Sequence, residues 1–512
     1  MPLPDARLRA AFSPDAFRAA GHRLVDQLTD YLGAALRGGE AATPVVPLPD
    51  PQALATRWPA RFPDDPPAEA APGDALAALV ARLLADSSHQ HHPRYLGFQV
   101  TAALPVAALA NLAGALLNNG MASYEAGPAS TVIERSVVRW LAARAGYGDD
   151  ADGVLTSGGS LGNLTALLVA RHVRAGFDSW ADGLAGAPPL AVLAGAEAHY
   201  SIARAAQIMG LGADGVVPVA ADAAGRMRPD ALDAAFRAAG RAGRRPVAVV
   251  ANAGSTANGA IDPIDAIADF CAARGLWLHV DGAHGAALVL SDAYRHRVAG
   301  LARADSIVWD AHKMLLQPSL VTAVLFRRGD DSYRAFAQRA SYLYSRDPAE
   351  RPWNLGLRTV ECTKRMMGVQ LYATLTACGT RLFGDYVTAV CALAERFSAR
   401  LAAASDFETA APPDCNIVCF RYLPRGTVAG GGGSGDADGA SDDLNALQDH
   451  LRRRVVRNGG FFLGRTRLGG RVWLRVTLTN PFTADDDLEA LLGAVRAAAD
   501  EADAGSAANA GT

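Results

Sequence analysis

The chain has 512 residues, half of them apolar and a fifth charged, the make-up of a globular enzyme with more than one domain. A formal net charge of -3, with no long run of one sign, gives no reason to expect nucleic acid as a partner. Six cysteines without a C-x-x-C pair exclude a zinc knuckle and a redox motif, and their sparsity fits a reducing, cytoplasmic compartment.

The first residues carry no apolar run behind a basic start, so no signal peptide is expected. Ser13-Pro14-Asp15 reads as a helix start, a capping hydroxyl followed by proline at the first helical position. Phe17, Leu24, Leu28 and Leu32 follow at helical spacing, so an amphipathic helix opens the chain. A proline-rich link over about residues 43–72 is expected to lie extended. Residues 95–124 carry no charge at all. Gln99, Pro105, Asn111, Asn118 and Asn119 within that stretch are costly in hydrocarbon, so it is read as a buried helix or a subunit interface, not a membrane span.

From about residue 130 to 330, short apolar runs alternate with Ala-rich helical segments. Strands are expected at 191–195, 215–219, 246–252, 276–281, 305–309 and 320–326, and helices at 131–145, 161–174, 200–209, 230–239 and 263–274. Such alternation predicts an α/β fold with a mostly parallel central sheet and helices on both faces. Ligands of such sheets bind at the carboxyl ends of the strands. Beyond about residue 375 the pattern becomes a smaller α+β unit: helix 384–403, strand 416–421, helix 443–456 and strand 472–477. A flexible insertion is expected at about 427–442 and a disordered tail at about 504–512. Three segments are thus expected: an N-terminal helical segment with its linker (1–90), a large domain (91–375) and a small C-terminal domain (376–512).

The strongest chemical element is Asp305-Ser-Ile-Val-Trp-Asp-Ala-His-Lys313, a strand that delivers His312 and Lys313 at its carboxyl end. A lysine so placed, partly desolvated and near other cations, can shed its proton and form a Schiff base. A lone lysine in a loop is more often a surface residue, so the assignment leans on its neighbours. Trp277-Leu-His-Val-Asp281 ends an apolar strand in a carboxylate, which is costly to bury without a partner. A pyridinium nitrogen is such a partner, and the ion pair keeps that nitrogen protonated, which makes the ring an electron sink. Metal is the rival, since His279 and Asp281 share one strand face and His284 is near, but no thiol or third spaced ligand supports it.

Gly153-Val-Leu-Thr-Ser-Gly-Gly-Ser-Leu-Gly-Asn163 is a glycine-rich turn that opens a helix, where free N–H groups and the helix dipole cradle an anion. It lacks both the Gly-Lys-Ser/Thr ending of a nucleotide loop and the G-x-G-x-x-G dinucleotide spacing. His199-Tyr-Ser201 sits between a strand and a helix; its imidazole either stacks on a flat ring or simply caps the helix. Ala251-Asn-Ala-Gly-Ser-Thr256 ends another strand in small and hydroxyl residues, fit for close approach of a ring substituent.

In order and spacing these elements resemble the group II PLP-dependent amino-acid decarboxylases, on the fold-type-I (aspartate-aminotransferase-like) scaffold. The likeness runs through HPRYLGFQ (92–99), SYEAGP (123–128) with Glu134, TSGGSLGN (156–163) and HYS (199–201). It continues through AGSTANGAIDPI (253–264), HVDGAHGA (279–286), DSIVWDAHK (305–313) and LRVTLTNPFT (474–483). The resemblance implies pyridoxal 5'-phosphate as cofactor, with Lys313 as Schiff-base lysine, Asp281 as partner of the ring nitrogen, His199 stacked on the ring and Ala283 on its other face. It implies Ser157, Gly158, Gly159, Ser160 and Thr256 around the phosphate or the phenolic side, and His312 near the phosphate or the substrate. Arg475 matches the arginine that holds the substrate carboxylate in glutamate-decarboxylase-like members; Tyr95, Phe98 and Gln99 are pocket candidates.

Two departures stand out. Asp310 replaces the asparagine common in relatives, and an acidic side chain repels a phosphate, so it is expected to face a hydroxyl or a histidine. The loop at 341–354, where relatives carry a proton-donating tyrosine, is short; Tyr344 is the candidate donor and Tyr342 is expected to pack inward. The implied reaction is α-decarboxylation of an L-amino acid by a cytoplasmic homodimer whose active site lies at the subunit interface. Transamination, oxidative deamination to an aldehyde, and a non-catalytic PLP-binding or interaction protein are the alternatives.

Overall fold

The structure, a computed structural model, describes residues 6–38, 44–58, 62, 64, 72–336, 347, 349–424 and 437–510. Its contacts form two compact units, one of Met1–Gly97, Asp449–Leu463 and Phe482–Thr512, the other of Phe98–Gln448 and Gly464–Pro481. These cuts differ from the three sequence segments because stretches of the C-terminal third belong to both units.

In the first unit, α1 (Ala6–Ala11) precedes α2 (Pro14–Arg37), which starts where the Ser13 hydroxyl accepts the Ala16 N–H at 3.3 Å. A short helix, α3 (Pro51–Arg57), lies inside the link expected to be extended. Asp50 caps it by accepting the N–H groups of Gln52 and Ala53, each at 3.0 Å, and Pro51 fits the first helical position, where its missing N–H is no loss. Helix α4 (Pro72–Asp86) packs on α2, where Gln27 donates to the Ala77 carbonyl at 3.2 Å. Strand β1 (Tyr95–Leu96) runs parallel to Phe462–Leu463, with the rings of Tyr95 and Phe462 stacked at 5.1 Å. The helix Asp485–Ala510 continues through most of the tail expected to be disordered.

The second unit begins with α5 (Pro105–Leu117) and α6 (Pro128–Arg144), and its centre is a seven-stranded sheet. The strands are β2 (Asp152–Thr156), β3 (Leu190–Gly195), β4 (Val216–Val219), β5 (Arg245–Asn252), β6 (Trp277–Asp281), β7 (Ser306–Asp310) and β8 (Thr322–Phe326), in the order β2-β8-β7-β6-β5-β3-β4. Only β8 runs antiparallel to its neighbours. The six strands expected between 191 and 326 form within two residues of their expected ends. Strand β2 was read as part of the glycine-rich turn, which it feeds directly. Side chains alternate across the sheet: Val249, Leu278 and Ile307 join one core, Val250, Trp277 and Val308 the other. On the first face lie α6, α9 (Leu232–Arg241) and α10 (Ile264–Arg274); on the second lie α7 (Gly159–Arg174), α8 (Tyr200–Ile208) and α11 (Asp330–Phe336).

Helices α12 (Met367–Cys378) and α13 (Arg381–Ala403) lead to β9 (Phe407–Thr409) and β10 (Ile417–Tyr422). After α14 (Ala437–Arg457) come β11 (Phe462–Leu468) and β12 (Arg471–Thr477). Strands β9 to β12 pair antiparallel, with Arg475 of β12 opposite both Cys419 and Gly464. Most of the insertion expected at 427–442 lies outside the described residues. Among the described residues no helix is long and apolar enough to cross a membrane.

Candidate active site

The carboxyl ends of β5, β6 and β7 open on a cavity of about 560 Å³ within the second unit. Asn252, Asp281 and Asp310 are the last residues of those three strands, and all three line it. Chain reversal beyond each strand adds Ser255 and Thr256, Ala283 and His284, then His312 and Lys313. Arg475 enters from β12, and Phe98, Gln99 and Val100 complete the wall. The N-terminus of α7 contributes Gly159 and Ser160. Glycine is required at this helix start. Gly158 holds φ 107°, and a Cβ on Gly159 would meet the Asp310 carboxylate at 3.1 Å.

Lys313 Nζ lies 3.1 Å from Asp310 Oδ2, and His312 Nε2 lies 3.6 Å from the same oxygen. The other Asp310 oxygen accepts the Thr322 hydroxyl, so this carboxylate faces a hydroxyl, an amine and a histidine, in line with the sequence expectation. Thr101 fixes the turn by donating to the Lys313 carbonyl at 2.8 Å.

Asp281 is held differently. Its Oδ2 accepts Asn163 Nδ2 at 2.9 Å and its Oδ1 accepts the Ala283 N–H at 3.2 Å. Among the described residues no cationic side chain reaches it within ion-pair distance. Behind it, His279 Nε2 lies 3.0 Å from Asn163 Oδ1, and Nδ1 lies 2.9 Å from Ser306 Oγ. Burial pushes His279 down to about 4, so it is a neutral ring. His199 caps α8, its Nδ1 2.8 Å from Ser201 Oγ, and burial lowers its pKa as well. Of the two sequence alternatives, stacking on a flat ring or capping, the capping contact is present, and the same residue also lines the cavity. Of the residues weighed for metal, both His279 nitrogens are engaged by side chains and His284 Nε2 meets Asn416 Oδ1 at 2.7 Å.

Of the residues singled out in the sequence, Phe98, Gln99, Gly159, Ser160, His199, Thr256, Asp281, Ala283, His312, Lys313 and Arg475 share this cavity. Gly158 shapes the turn without lining it. The Ser157 hydroxyl instead donates to Glu361, and Ser157 lines a second cavity of about 320 Å³. Tyr95 is buried in β1 of the first unit. Tyr342 and Tyr344 lie outside the described residues. Glu134 is buried away from the cavity, 2.5 Å from Lys364 Nζ and accepting the Leu155 N–H at 2.9 Å. Asn163, Tyr200 and Asn252 were not assigned a role from sequence. Only the polarity of Asn163 on an otherwise apolar helix face pointed to it.

A pyridine ring bearing an aldehyde and a phosphate fits this set of groups. Lys313 offers the amine, Asp281 a carboxylate without a cation, and the helix start at Gly159 and Ser160 an anion cradle that no larger residue would leave open. Residues 51–423 match the pyridoxal-dependent decarboxylase conserved domain. Mouse cysteine sulfinic acid decarboxylase is 33% identical over 405 residues, covering 78% of this chain and 81% of that protein. L-2,4-diaminobutyrate decarboxylase of Rhizobium meliloti (strain 1021) is 36% identical over 401 residues, covering 76% of this chain and 75% of that protein. A crystal structure of mouse CSAD superposes with a TM-score of 0.86 at 29% identity, over 95% of this chain and 99% of that one. Cavity chemistry, fold and relatives agree, and the chain belongs to the pyridoxal-dependent decarboxylases, carboxy-lyases that use pyridoxal phosphate to convert an amino acid to its amine.

Proposed function

We propose that this cavity releases the α-carboxyl group of an L-amino acid as carbon dioxide, with Lys313 as the residue that carries the cofactor. The observation behind the reading is that Lys313, Asp281 and His199 line one cavity at the ends of neighbouring strands. Pyridoxal phosphate, when bound, supplies a carbonyl for amines and a ring that draws electrons from the α-carbon. Asp310 is placed to take a proton from Lys313 Nζ, 3.1 Å away. Asp281 would face the ring nitrogen and favour its protonated form, and His199 and Ala283 would hold the ring between them. The helix start at Gly159 and Ser160, with Thr256, would receive the phosphate or the phenolic edge.

Arg475 is buried, with one guanidinium nitrogen tethered to the Thr256 carbonyl, and it would bind and orient the substrate carboxylate. Phe98 and Gln99 meet the substrate side chain. Tyr344 or His312 returns a proton to the α-carbon.

The enzyme works as a cytoplasmic homodimer with its active site at the subunit interface. Helix α5 supports this: it bears no charge and exposes Leu109, Leu112, Leu116 and Leu117, a patch suited to a partner subunit. Six free cysteines, four of them buried, fit a reducing compartment.

Purified protein reconstituted with pyridoxal phosphate is expected to be tagged at Lys313 by borohydride. It should release carbon dioxide and an amine from at least one member of an L-amino-acid panel, and Lys313→Ala should do neither. Aldehyde and ammonia as products, or no turnover with the cofactor attached, would overturn the reading. Leu112→Glu with Leu116→Glu should halve the mass seen by light scattering.

A further inference from the structure

Asn163 is buried to 1% exposure four residues into α7, and its amide touches three side chains from two other elements, Ser201 on α8 and His279 and Asp281 on β6. The direction of each hydrogen bond around it follows from the two ends of the cluster. Asp281 only accepts, so the Asn163 amino group must face it, and Asn163 Oδ1 must face His279 Nε2. That nitrogen is therefore the donor, which leaves His279 Nδ1 to accept the Ser306 hydroxyl proton. The far end agrees: Trp277 Nε1 can only donate, and it donates to Ser306 Oγ at 2.8 Å, freeing the Ser306 proton for His279.

The second Asn163 amino proton goes to Ser201 Oγ at 2.9 Å. Ser201 then gives its own proton to His199 Nδ1 at 2.8 Å, and the Ser201 backbone N–H points at the same nitrogen at 3.3 Å. Two donors on Nδ1 leave His199 with its proton on Nε2. The tautomer follows from the network rather than from any observed hydrogen.

We infer that Asn163 is a positioning residue that couples the two groups meeting the cofactor ring: one amide holds Asp281 as a carboxylate and, through Ser201, holds His199 as a neutral imidazole. The inference rests on the proposed roles of Asp281 and His199. A neutral imidazole matters because a cation over the ring would oppose the proton that Asp281 keeps on the ring nitrogen. The charged groups around His199 balance in sign, with Asp281 on β6, Asp310 and Lys313 at the end of β7, and Arg204 on α8. Burial is the main cause of the lowered pKa, and the Ser201 donors on Nδ1 add to it by occupying the nitrogen a second proton would take.

The test uses the holoenzyme with Asn163→Leu and Ser201→Ala, reading the cofactor dissociation constant and the acidic limb of the kcat/KM profile. Asn163→Leu should weaken cofactor binding about tenfold, the scale of a lost hydrogen bond to a charged group. It should also move the acidic limb upward, toward that of an ordinary histidine. Ser201→Ala should move the limb while leaving the dissociation constant within about twofold, since the Asn163–Asp281 bond survives. A merely structural role would lower the melting temperature and leave the limb in place, which overturns the inference. Should Asn163→Leu fail to fold, an unmoved limb in Ser201→Ala overturns it alone. If Asp281→Asn binds the cofactor as tightly as wild type, the proposed function fails instead.

Discussion

Strands β6 and β7 are neighbours, and each ends in a buried aspartate that faces the same cavity. Asp310 is compensated by the protein: Lys313 Nζ at 3.1 Å, His312 Nε2 at 3.6 Å and the Thr322 hydroxyl. Asp281 receives only neutral donors, the Asn163 amide and the Ala283 N–H. A buried carboxylate without a countercharge is destabilising unless something else supplies one. The difference therefore separates two functions that the residue type alone does not. Asp310 is paired with the lysine, whereas among the described residues no cationic side chain lies within ion-pair distance of Asp281.

The sharpest way to break this contrast is to neutralise each carboxylate in turn. Asp281→Asn is expected to lower kcat/KM about a thousandfold, the scale on which preorganised charge acts in a closed site. Asp310→Asn keeps a polar group beside Lys313 and should lower it only about tenfold. Equal losses in steady-state assays would remove the distinction.

A third buried carboxylate extends the comparison away from the cavity. Glu134 pairs with Lys364 at 2.5 Å with both side chains 1% exposed, and Lys364 also donates to the Leu155 carbonyl at 2.6 Å. Glu134→Gln strands a buried ammonium, so urea unfolding should show a loss of about 3 kcal/mol. Turnover per folded molecule should be little changed, because the pair lies away from the cavity.

The sheet was legible because β3 to β8 are short apolar runs, several rich in β-branched residues, with turns between them. Strand β11 was not, since Phe462-Leu-Gly-Arg-Thr-Arg-Leu468 puts two arginines on a strand only partly buried. Helix α3 escaped notice beneath prolines, although Asp50-Pro51 carries its capping signal. Most cavity residues were readable as strand-end motifs. What sequence could not reveal was the bonding around them: Asn163 meets Asp281 across 118 positions, and Ser157, inside the best motif, turns to Glu361 instead.

Two neutral histidines, His279 behind the cavity and His284 in its wall, give the contrast a pH dependence. Burial lowers His279 to about 4 and His284 to about 3, both below the ordinary 6.5. A depressed folded-state value means the contribution to stability is present above 6.5 and is lost as pH falls through the folded value. Between pH 7 and 5 each histidine should cost about 2 kcal/mol of unfolding free energy. Chemical denaturation across that range should be steeper for wild type than for His284→Gln, which removes one titrating ring while keeping a donor for Asn416. Identical slopes would mean that His284 is not held neutral by its surroundings.

The last effect is expected at Arg475, the cavity's second cation beside Lys313. Arg475 sits on β12 opposite Cys419 and Gly464, with one nitrogen donating to the Thr256 carbonyl. That tether aims a planar fork, and a lysine offers only a point charge on a flexible stem. If Arg475 orients the substrate carboxylate, Arg475→Lys keeps the charge but loses the geometry. KM should then rise about tenfold with a smaller fall in kcat, and cofactor affinity should stay at the wild-type value. A fall in cofactor affinity instead would place Arg475 with Asp281 among the groups that hold the ring, and the substrate carboxylate would need another partner.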